Sequence, residues 1–382
     1  MKKIRTTQQG VESSLSILSL NKCIFVENLK NVKMKKFAKC SIFLALFLLV
    51  SSCNKSSNKE ESKEEEQVVN VYTHRHYKSD DALFKKFTEE TGIKVNIVNA
   101  SADELIQRLE TEGAESPADV LLTVDAGRLY RAQSKDLLQS IQSDILDKNI
   151  PSHFREKDGL WYAITYRARI IAYAKDRVNP EDIQTYEDLA NPKWKGKIVV
   201  RSSENVYNQS LLASIMLADG NEKAKDWAAG VVSNMARTPK GSDRDQVKAV
   251  AAGEGDIAIV NTYYIGLMLN DENPEERKAG ESVGIIFPNQ NDRGTHINVS
   301  GAGVAKHAPH KANAIKLLEF LSEEEAQNML TNMNYEFPVN PKVKTADTPA
   351  SWGDFKADQV ELYELGKLNS DAVKIFDEVK WK

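Results

Sequence analysis

The sequence predicts an α/β protein in which two lobes face each other across a cleft, each with a mostly parallel sheet covered by helices. From residue 68 onward, short apolar runs alternate with amphipathic helical patterns, as in βαβ units. The alternation begins again near residue 194. The globular part, residues 68–382, is long enough for two lobes of ordinary domain size.

The first unit opens with a buried strand over residues 68–73 and an amphipathic helix. Asp80 or Asp81 is expected to cap this helix, and Gly92 is expected to end it. Apolar residues then alternate over residues 93–97, which predicts a second strand.

The second helix has the signature of a capping box. Ser101 is followed three residues later by Glu104, and Gly113 is expected to end the helix. Residues 118–123 are predicted to form a third strand. These elements make a βαβαβ unit, and therefore a parallel sheet with helices on both faces.

Later segments repeat the pattern. Strands are predicted over residues 198–200 and 257–260, and helices over residues 311–321 and after Ser322, which is expected to cap its helix with Glu325. Two extended apolar segments, residues 163–173 and 296–304, are predicted to cross between the lobes as a hinge.

The N-terminus predicts export and lipidation. Residues 34–53 combine a basic start, an apolar run too short to span a membrane, and a lipobox-like V-S-S-C ending at Cys53. We therefore assign residues 1–52 to a signal peptide, with Met34 as an alternative start, and residues 53–67 to a lipidated cysteine and a flexible acidic tether.

Composition excludes several classes of function. All three cysteines lie at or before position 53, so the exported domain carries no thiolate metal site, disulfide or cysteine nucleophile. The formal net charge is −4 and no basic stripe stands out, so nucleic acid is not an expected partner.

Phenol and imidazole side chains follow several of the predicted strands. His76 and Tyr77 follow the first strand, Tyr207 follows the strand near residue 199, and Tyr263 and Tyr264 follow the strand ending near residue 260. Ligands of open α/β sheets bind at the carboxyl ends of strands, so these side chains form a candidate site.

Iron fits this set of side chains. Fe(III) prefers anionic oxygen donors such as tyrosinate, and imidazole also suits iron. Four tyrosinates would leave one negative charge on a bound Fe(III), which a nearby guanidinium would offset. Arg75, Arg169 and Arg201 are the candidates, each beside a site or crossing segment.

The chain resembles the periplasmic ferric-ion-binding proteins of ABC iron importers, the bacterial transferrin-like group within the family 1 extracellular solute-binding proteins. The resemblance covers essentially all of residues 68–382, and the pair of tyrosines in N-T-Y-Y is its hallmark. Its motifs lie in residues 71–76, 87–95, 117–120, 167–169, 192–197, 261–264 and 300–303.

The resemblance implies a type II periplasmic-binding-protein fold with a tyrosine-rich iron shell. Some members use a carboxylate ligand where this chain has Val124, and Asp125 is expected to point to the other side of an extended strand. The tyrosine-rich subclass instead implies a set of metal ligands without an obligatory anion: His76, Tyr77, Tyr207, Tyr263 and Tyr264. Ser202 and Ser203 are then expected to be helix caps.

The resemblance also implies a mechanism and partners. Iron is expected to bind to one lobe, after which the other lobe closes on it and the protein docks on an ABC permease driven by its ATPase. One lobe is expected to comprise residues 68–168 and about 300–345, and the other residues 169–299 and about 346–382. The protein is expected to be a monomer held at the membrane by its N-terminal lipid, on the periplasmic or cell-surface side.

Other functions remain open at this point. The same fold could bind a polyamine, an anion or another small organic ligand, although such sites favour acidic and aromatic residues or Gly/Ser-rich loops. An exported hydrolase or iron oxygenase is not expected, because the sequence lacks G-x-S-x-G, H-E-x-x-H, G-x-G-x-x-G opening a helix, and a P-loop. A scaffold lipoprotein would leave the tyrosine placement unexplained.

Overall fold

The computed structural model describes residues 67–75 and 77–382. The predicted signal peptide, Cys53 and most of the tether lie outside these ranges, and so does His76. Within them, none of the helices combines the length and the apolar character needed to cross a bilayer.

Strands and helices alternate along the described chain much as the sequence predicts. The strands are β1 Val68–Thr73, β2 Lys94–Asn99, β3 Val120–Val124, β4 Tyr162–Ala174, β5 Ile198–Val199, β6 Ile257–Asn261, β7 Val283–Ile286, β8 Ile297–Val304 and β9 Phe337–Pro338. The helices are α1 Lys78–Thr91, α2 Ala102–Glu112, α3 Ala126–Ser134, α4 Asp144–Asn149, α5 Val206–Asp219, α6 Asn221–Asn234, α7 Asp243–Ala251, α8 Thr262–Leu269, α9 Pro274–Ser282, α10 Lys311–Ser322, α11 Glu324–Asn334, α12 Asp347–Ala350, α13 Leu362–Lys367 and α14 Asn369–Val379.

The strands lie in the order β2-β1-β3-β8-β4-β6-β5, with β7 and β9 also paired to β4. Strands β1, β2 and β3 are mutually parallel, as the βαβαβ pattern predicts. The long strand β4 changes partner along its length. It pairs with β8 up to Ala168, and with β6 from Arg169 onward. Strand β4 thus runs from the part of the sheet that contains β1, β2 and β3 into the part that contains β5, β6 and β7. Strand β8 brings the chain back to the first of these parts.

This arrangement is the two-lobe α/β fold that the sequence predicts. The expectation of mostly parallel sheets is wrong, because β4 and β8 run antiparallel to the strands beside them and make the sheet mixed. The predicted crossing segments, residues 163–173 and 296–304, correspond to β4 and β8. We call the part of the sheet from β2 to the start of β4 the first half, and the part from the end of β4 to β5, with β7, the second half.

Local sequence signals explain several helix ends. The capping box at Ser101 and Glu104 is present, and Gly92 ends α1 in the left-handed conformation at φ 72°. The prediction that Asp80 or Asp81 caps α1 is wrong, because the helix begins after Tyr77 without a side-chain cap. The Asp80 carboxylate instead accepts two hydrogen bonds from a buried guanidinium, which binds a carboxylate more strongly than a helix N–H does.

The predicted cap at Ser322 is also wrong. Ser322 is the last residue of α10, where its hydroxyl donates to the Glu319 carbonyl, and α11 begins after Glu323 without a side-chain cap. The end of one helix and the start of the next lie too close together for the serine to serve both.

The C-terminal segment ties the halves together. In the second half, Trp381 packs beside Trp227, with ring centroids 5.9 Å apart. Helix α13 packs against both α3 and α5. A Cβ at Gly366 of α13 would lie 2.2 Å from the Cβ of Tyr130 in α3, so only glycine permits this approach.

Candidate metal centre

Each tyrosine of the candidate site lies where a helix begins. Tyr77 is the residue immediately before α1, and Tyr207 lies in the first turn of α5. The Asn205 side chain caps α5 by accepting a hydrogen bond from the Tyr207 N–H at 3.1 Å. Tyr263 and Tyr264 lie in the first turn of α8, directly after β6. The strand-to-helix connections therefore position all four phenols.

The hydroxyls of Tyr77 and Tyr207 both lie close to the hydroxyl of Tyr263. The Tyr77 hydroxyl lies 3.5 Å from that of Tyr263, and the Tyr207 hydroxyl lies 3.4 Å from it. The Tyr264 ring packs beside the Tyr263 ring at 4.1 Å between centroids. Residues separated by as many as 186 positions are thus brought within contact distance.

Burial raises the pKa of Tyr77, Tyr263 and Tyr264, and so opposes their ionisation in the absence of a cation. Burial, and then the charge of Tyr207, raises the pKa of Tyr77 to about 12, although Arg75 opposes the shift. Burial and the neighbouring phenols also raise the pKa of Tyr263 and that of Tyr264 well above the usual value. Ionising several phenols together therefore requires a positive charge among them.

Three arginines surround the Tyr207 ring, with guanidinium carbons 5.4 Å (Arg167), 5.8 Å (Arg169) and 5.5 Å (Arg201) from its centroid. Arg169 and Arg201 both pair with Asp243, at 2.5 Å and 3.3 Å. They are therefore partly neutralised within the protein.

Arg167 is paired more loosely, with Asp125 and without a hydrogen bond. Its side chain is buried, and neither terminal nitrogen makes a hydrogen bond to any residue in the described ranges. The nearest carboxylate oxygen, on Asp125, is 3.8 Å from Nη2. A buried guanidinium without a hydrogen-bonded counter-ion is unfavourable, so its positive charge is available to a negative group in the site.

Arg75, in contrast to Arg167, makes several hydrogen bonds through its guanidinium. It makes a two-bond contact with Asp80, donates to Ser300 at 2.7 Å, and lies 3.4 Å from Glu336. Its guanidinium lies 5.0 Å from the centroid of the Tyr77 ring. It anchors the segment before Tyr77, and two carboxylates neutralise its charge.

The counter-charges expected from the sequence are Arg75, Arg169 and Arg201, and the structure adds Arg167 to them. A signal was present, because Arg167 and Arg169 alternate on β4 and so share one face of the sheet. The structure also places His74, which was left out of the ligand set, beside Thr123 and Arg128, at 3.2 Å and 3.3 Å.

Two expectations near the site are wrong. Asn205 caps α5, and the Ser202 hydroxyl instead accepts from the Glu204 N–H, within the turn that precedes the helix. Asp125 is not part of an extended strand, because β3 ends at Val124 and Asp125 turns into α3 with φ 83°.

Comparison with known proteins gives consistent results. The sequence profile of a family described as bacterial extracellular solute-binding protein matches residues 82–357. Iron uptake protein A1 of Synechocystis sp. is 50% identical over 336 residues, which cover 87% of this chain and 93% of that relative.

Solved structures are similar over the same region. A Trichodesmium protein in complex with iron and citrate ligands is 50% identical, with a TM-score of 0.80 over 82% of this chain and 100% of its own. A ferric binding protein from Campylobacter jejuni is 48% identical, with the same TM-score and coverage.

Proposed function

The chain belongs to the bacterial extracellular solute-binding proteins, and on that premise we propose that it captures Fe(III) and delivers it to the permease of an ABC iron importer. Relatives at 45–50% identity are named as iron uptake proteins, and a similar structure holds iron. The role is binding and delivery rather than catalysis.

The observation that carries this proposal is the convergence of the phenols. Tyr77, Tyr207 and Tyr263 bring three oxygens together from three segments, and Tyr264 packs beside them. Fe(III) is the kind of small, highly charged cation that would ionise clustered phenols, even though burial raises the pKa of Tyr77, Tyr263 and Tyr264. We propose these four tyrosines as ligands, with His76 as a fifth.

Charge balance supports the same assignment. Four tyrosinates around Fe(III) carry one net negative charge. The guanidinium of Arg167, which makes no hydrogen bond through its terminal nitrogens to any described residue and has only a 3.8 Å ion pair with Asp125, lies beside the Tyr207 ring. Arg167, Arg169 and Arg201 carry three positive charges and their partners Asp125 and Asp243 two negative ones, so the one remaining positive charge would make the site neutral without a bound anion. Buried opposite charges at this range stabilise each other more strongly than they would in water.

Delivery is proposed to follow closure of two lobes. We propose that residues 68–168 and about 300–345 form one lobe, and residues 169–299 and about 346–382 the other. The change of partner along β4 between Ala168 and Arg169 supports this boundary. Tyr77 then belongs to the first lobe, and the other three tyrosines to the second, so closure would complete the shell.

The position in the cell is part of the proposal. Related iron-binding proteins are periplasmic. The lipobox-like sequence ending at Cys53 supports a lipid anchor, with residues 54–67 as a tether. We propose a monomeric, membrane-anchored lipoprotein whose iron-loaded form docks on the permease.

A visible spectrum tests the proposal. The purified protein is titrated with ferric citrate, and a tyrosinate-to-iron charge-transfer band should saturate at one iron per protein. The double variant Tyr263→Phe, Tyr264→Phe should lose the band or shift it. Tyr363→Phe, at a partly exposed tyrosine of α13, is the control and should leave it unchanged.

The absence of a band in folded, iron-free starting protein would reject tyrosinate iron binding. A screen of polyamines, anions and other small organic ligands by thermal shift would then test the alternative.

A further inference from the structure

Asp125 has an unusual backbone and no exposure to solvent. Its φ is 83°, in the region that non-glycine residues rarely adopt, and its side chain is fully buried. Residues held in such conformations are often found at functional sites, because the surrounding contacts must compensate for the strain. The contacts of the Asp125 carboxylate therefore require an explanation.

The carboxylate joins three parts of the fold. Oδ1 accepts from the Gly127 N–H at 2.9 Å, which caps α3, and from the Ser210 hydroxyl of α5 at 2.6 Å. Oδ2 accepts from Asn298 of β8 at 2.9 Å. Capping alone needs only the Gly127 contact, so the bonds to α5 and β8 serve another purpose.

Ser210 connects this carboxylate to the metal centre. It lies three residues after Tyr207, so the two side chains share one face of α5. Tyr207 and Asp125 line the same narrow cavity, together with Arg167. A shift of α5 that broke the bond between Ser210 and Asp125 would also move the Tyr207 hydroxyl away from Tyr263.

We propose that Asp125 is a positioning residue that, through Ser210, holds α5 where Tyr207 completes the iron shell. This proposal rests on the proposed function. Asp125 follows β3 of the first half of the sheet, whereas α5 follows β5 of the second half. The bond therefore joins the two proposed lobes directly, and opening the cleft must break it.

The expected consequence is slower release of iron. A hydrogen bond from a buried hydroxyl to a carboxylate is among the stronger ones in proteins, and it is lost when the lobes separate. Its removal should favour the open form and so raise the rate of iron loss, while the ligands themselves stay unchanged.

Helix α5 offers a matched pair of variants. Ser210→Ala removes the bond to Asp125. Ser214→Ala is the control, because Ser214 is equally buried in the same helix but donates only to the Leu211 carbonyl of its own helix. The iron-loaded protein is mixed with excess EDTA, and the decay of the charge-transfer band gives the release rate.

Release from Ser210→Ala should be roughly tenfold faster than from the wild type, as expected for loss of a charge-assisted hydrogen bond, and release from Ser214→Ala should change less than about twofold. The wavelength of the band should not move in either variant. Asp125→Ala should also release iron faster, and adding Ser210→Ala to it should have little further effect, because both changes remove the same bond.

Two results would overturn the proposal. One is equal release from Ser210→Ala and Ser214→Ala. The other is independent, multiplying effects of Ser210→Ala and Asp125→Ala in the double variant. If the wild type shows no band, the proposed function fails and this inference fails with it. If the wild type shows the band but the two serine variants behave alike, only the positioning role fails.

Discussion

Two buried arginines flank the tyrosine cluster, and their surroundings differ. Arg75, beside Tyr77, contacts Asp80, Glu336 and Ser300. Arg167, beside Tyr207, makes no hydrogen bond through its terminal nitrogens to any residue that the structure describes. Both side chains are almost fully buried.

The two arginines therefore have different roles. A guanidinium that is saturated by carboxylates stabilises the fold, and its charge is not available to a ligand. A guanidinium without hydrogen-bonded partners costs stability, and this cost is offset when a negative group arrives. Arg75 therefore holds the segment that leads to Tyr77, whereas Arg167 supplies charge to the site.

Replacement of Arg75 should have the largest effect on folding. Arg75→Met leaves Asp80 and Glu336 buried without their cation, so the free energy of unfolding of the iron-free protein should fall by about 3–5 kcal/mol. Urea unfolding measures this loss. Lys85→Met, which removes only an exposed pair with Glu89, is the control and should cost less than about 1 kcal/mol. A similarly small loss for Arg75→Met would remove the distinction between the two arginines.

Replacement of Arg167 should affect iron affinity more than folding stability. Arg167→Met should cost the iron-free protein less stability than Arg75→Met, because the terminal nitrogens of Arg167 make no hydrogen bond to the described residues and its ion pair with Asp125 is a loose one at 3.8 Å. Iron affinity should fall by about tenfold or more, because the negative charge of the tyrosinates loses its buried counter-charge. Competition with a chelator measures the affinity. Arg167→Lys should retain part of it, and an affinity equal to that of the wild type in Arg167→Met would contradict the role.

The smallest expected effect is the contribution of Tyr77 ionisation to the pH dependence of folding stability. The pKa of Tyr77 is raised to about 12 by burial, whereas a phenol in an unfolded chain ionises near pH ~10. The stabilisation from keeping this phenol neutral is complete below about pH 10, and it is lost as the pH rises towards 12. Urea unfolding of the iron-free protein at increasing pH should show this loss, and Tyr77→Phe should show less of it. An identical pH profile for the two proteins would show that Tyr77 is not buried in this way in solution.

Local signals in the sequence were sufficient for much of the fold. The capping box at Ser101 and Glu104, and the glycine that ends α1, were predicted because each depends on neighbouring residues alone. The predicted caps at Asp80 and Ser322 are wrong. Asp80 binds the Arg75 guanidinium instead, and Ser322 belongs to the end of the preceding helix. Competition of that kind cannot be seen in a local pattern.

The same division applies to the site. The sequence by itself determined which side chains follow the strands, because β-strand and helix patterns place Tyr77, Tyr207, Tyr263 and Tyr264 at the starts of helices. Only the tertiary structure decided that the Tyr77 and Tyr207 hydroxyls each lie within 3.5 Å of the Tyr263 hydroxyl, and which buried arginine lacks hydrogen bonds at its terminal nitrogens among the described residues. The reason is physical: secondary structure depends on residues a few positions apart, whereas pairing of buried charges depends on contacts between segments that are distant in sequence.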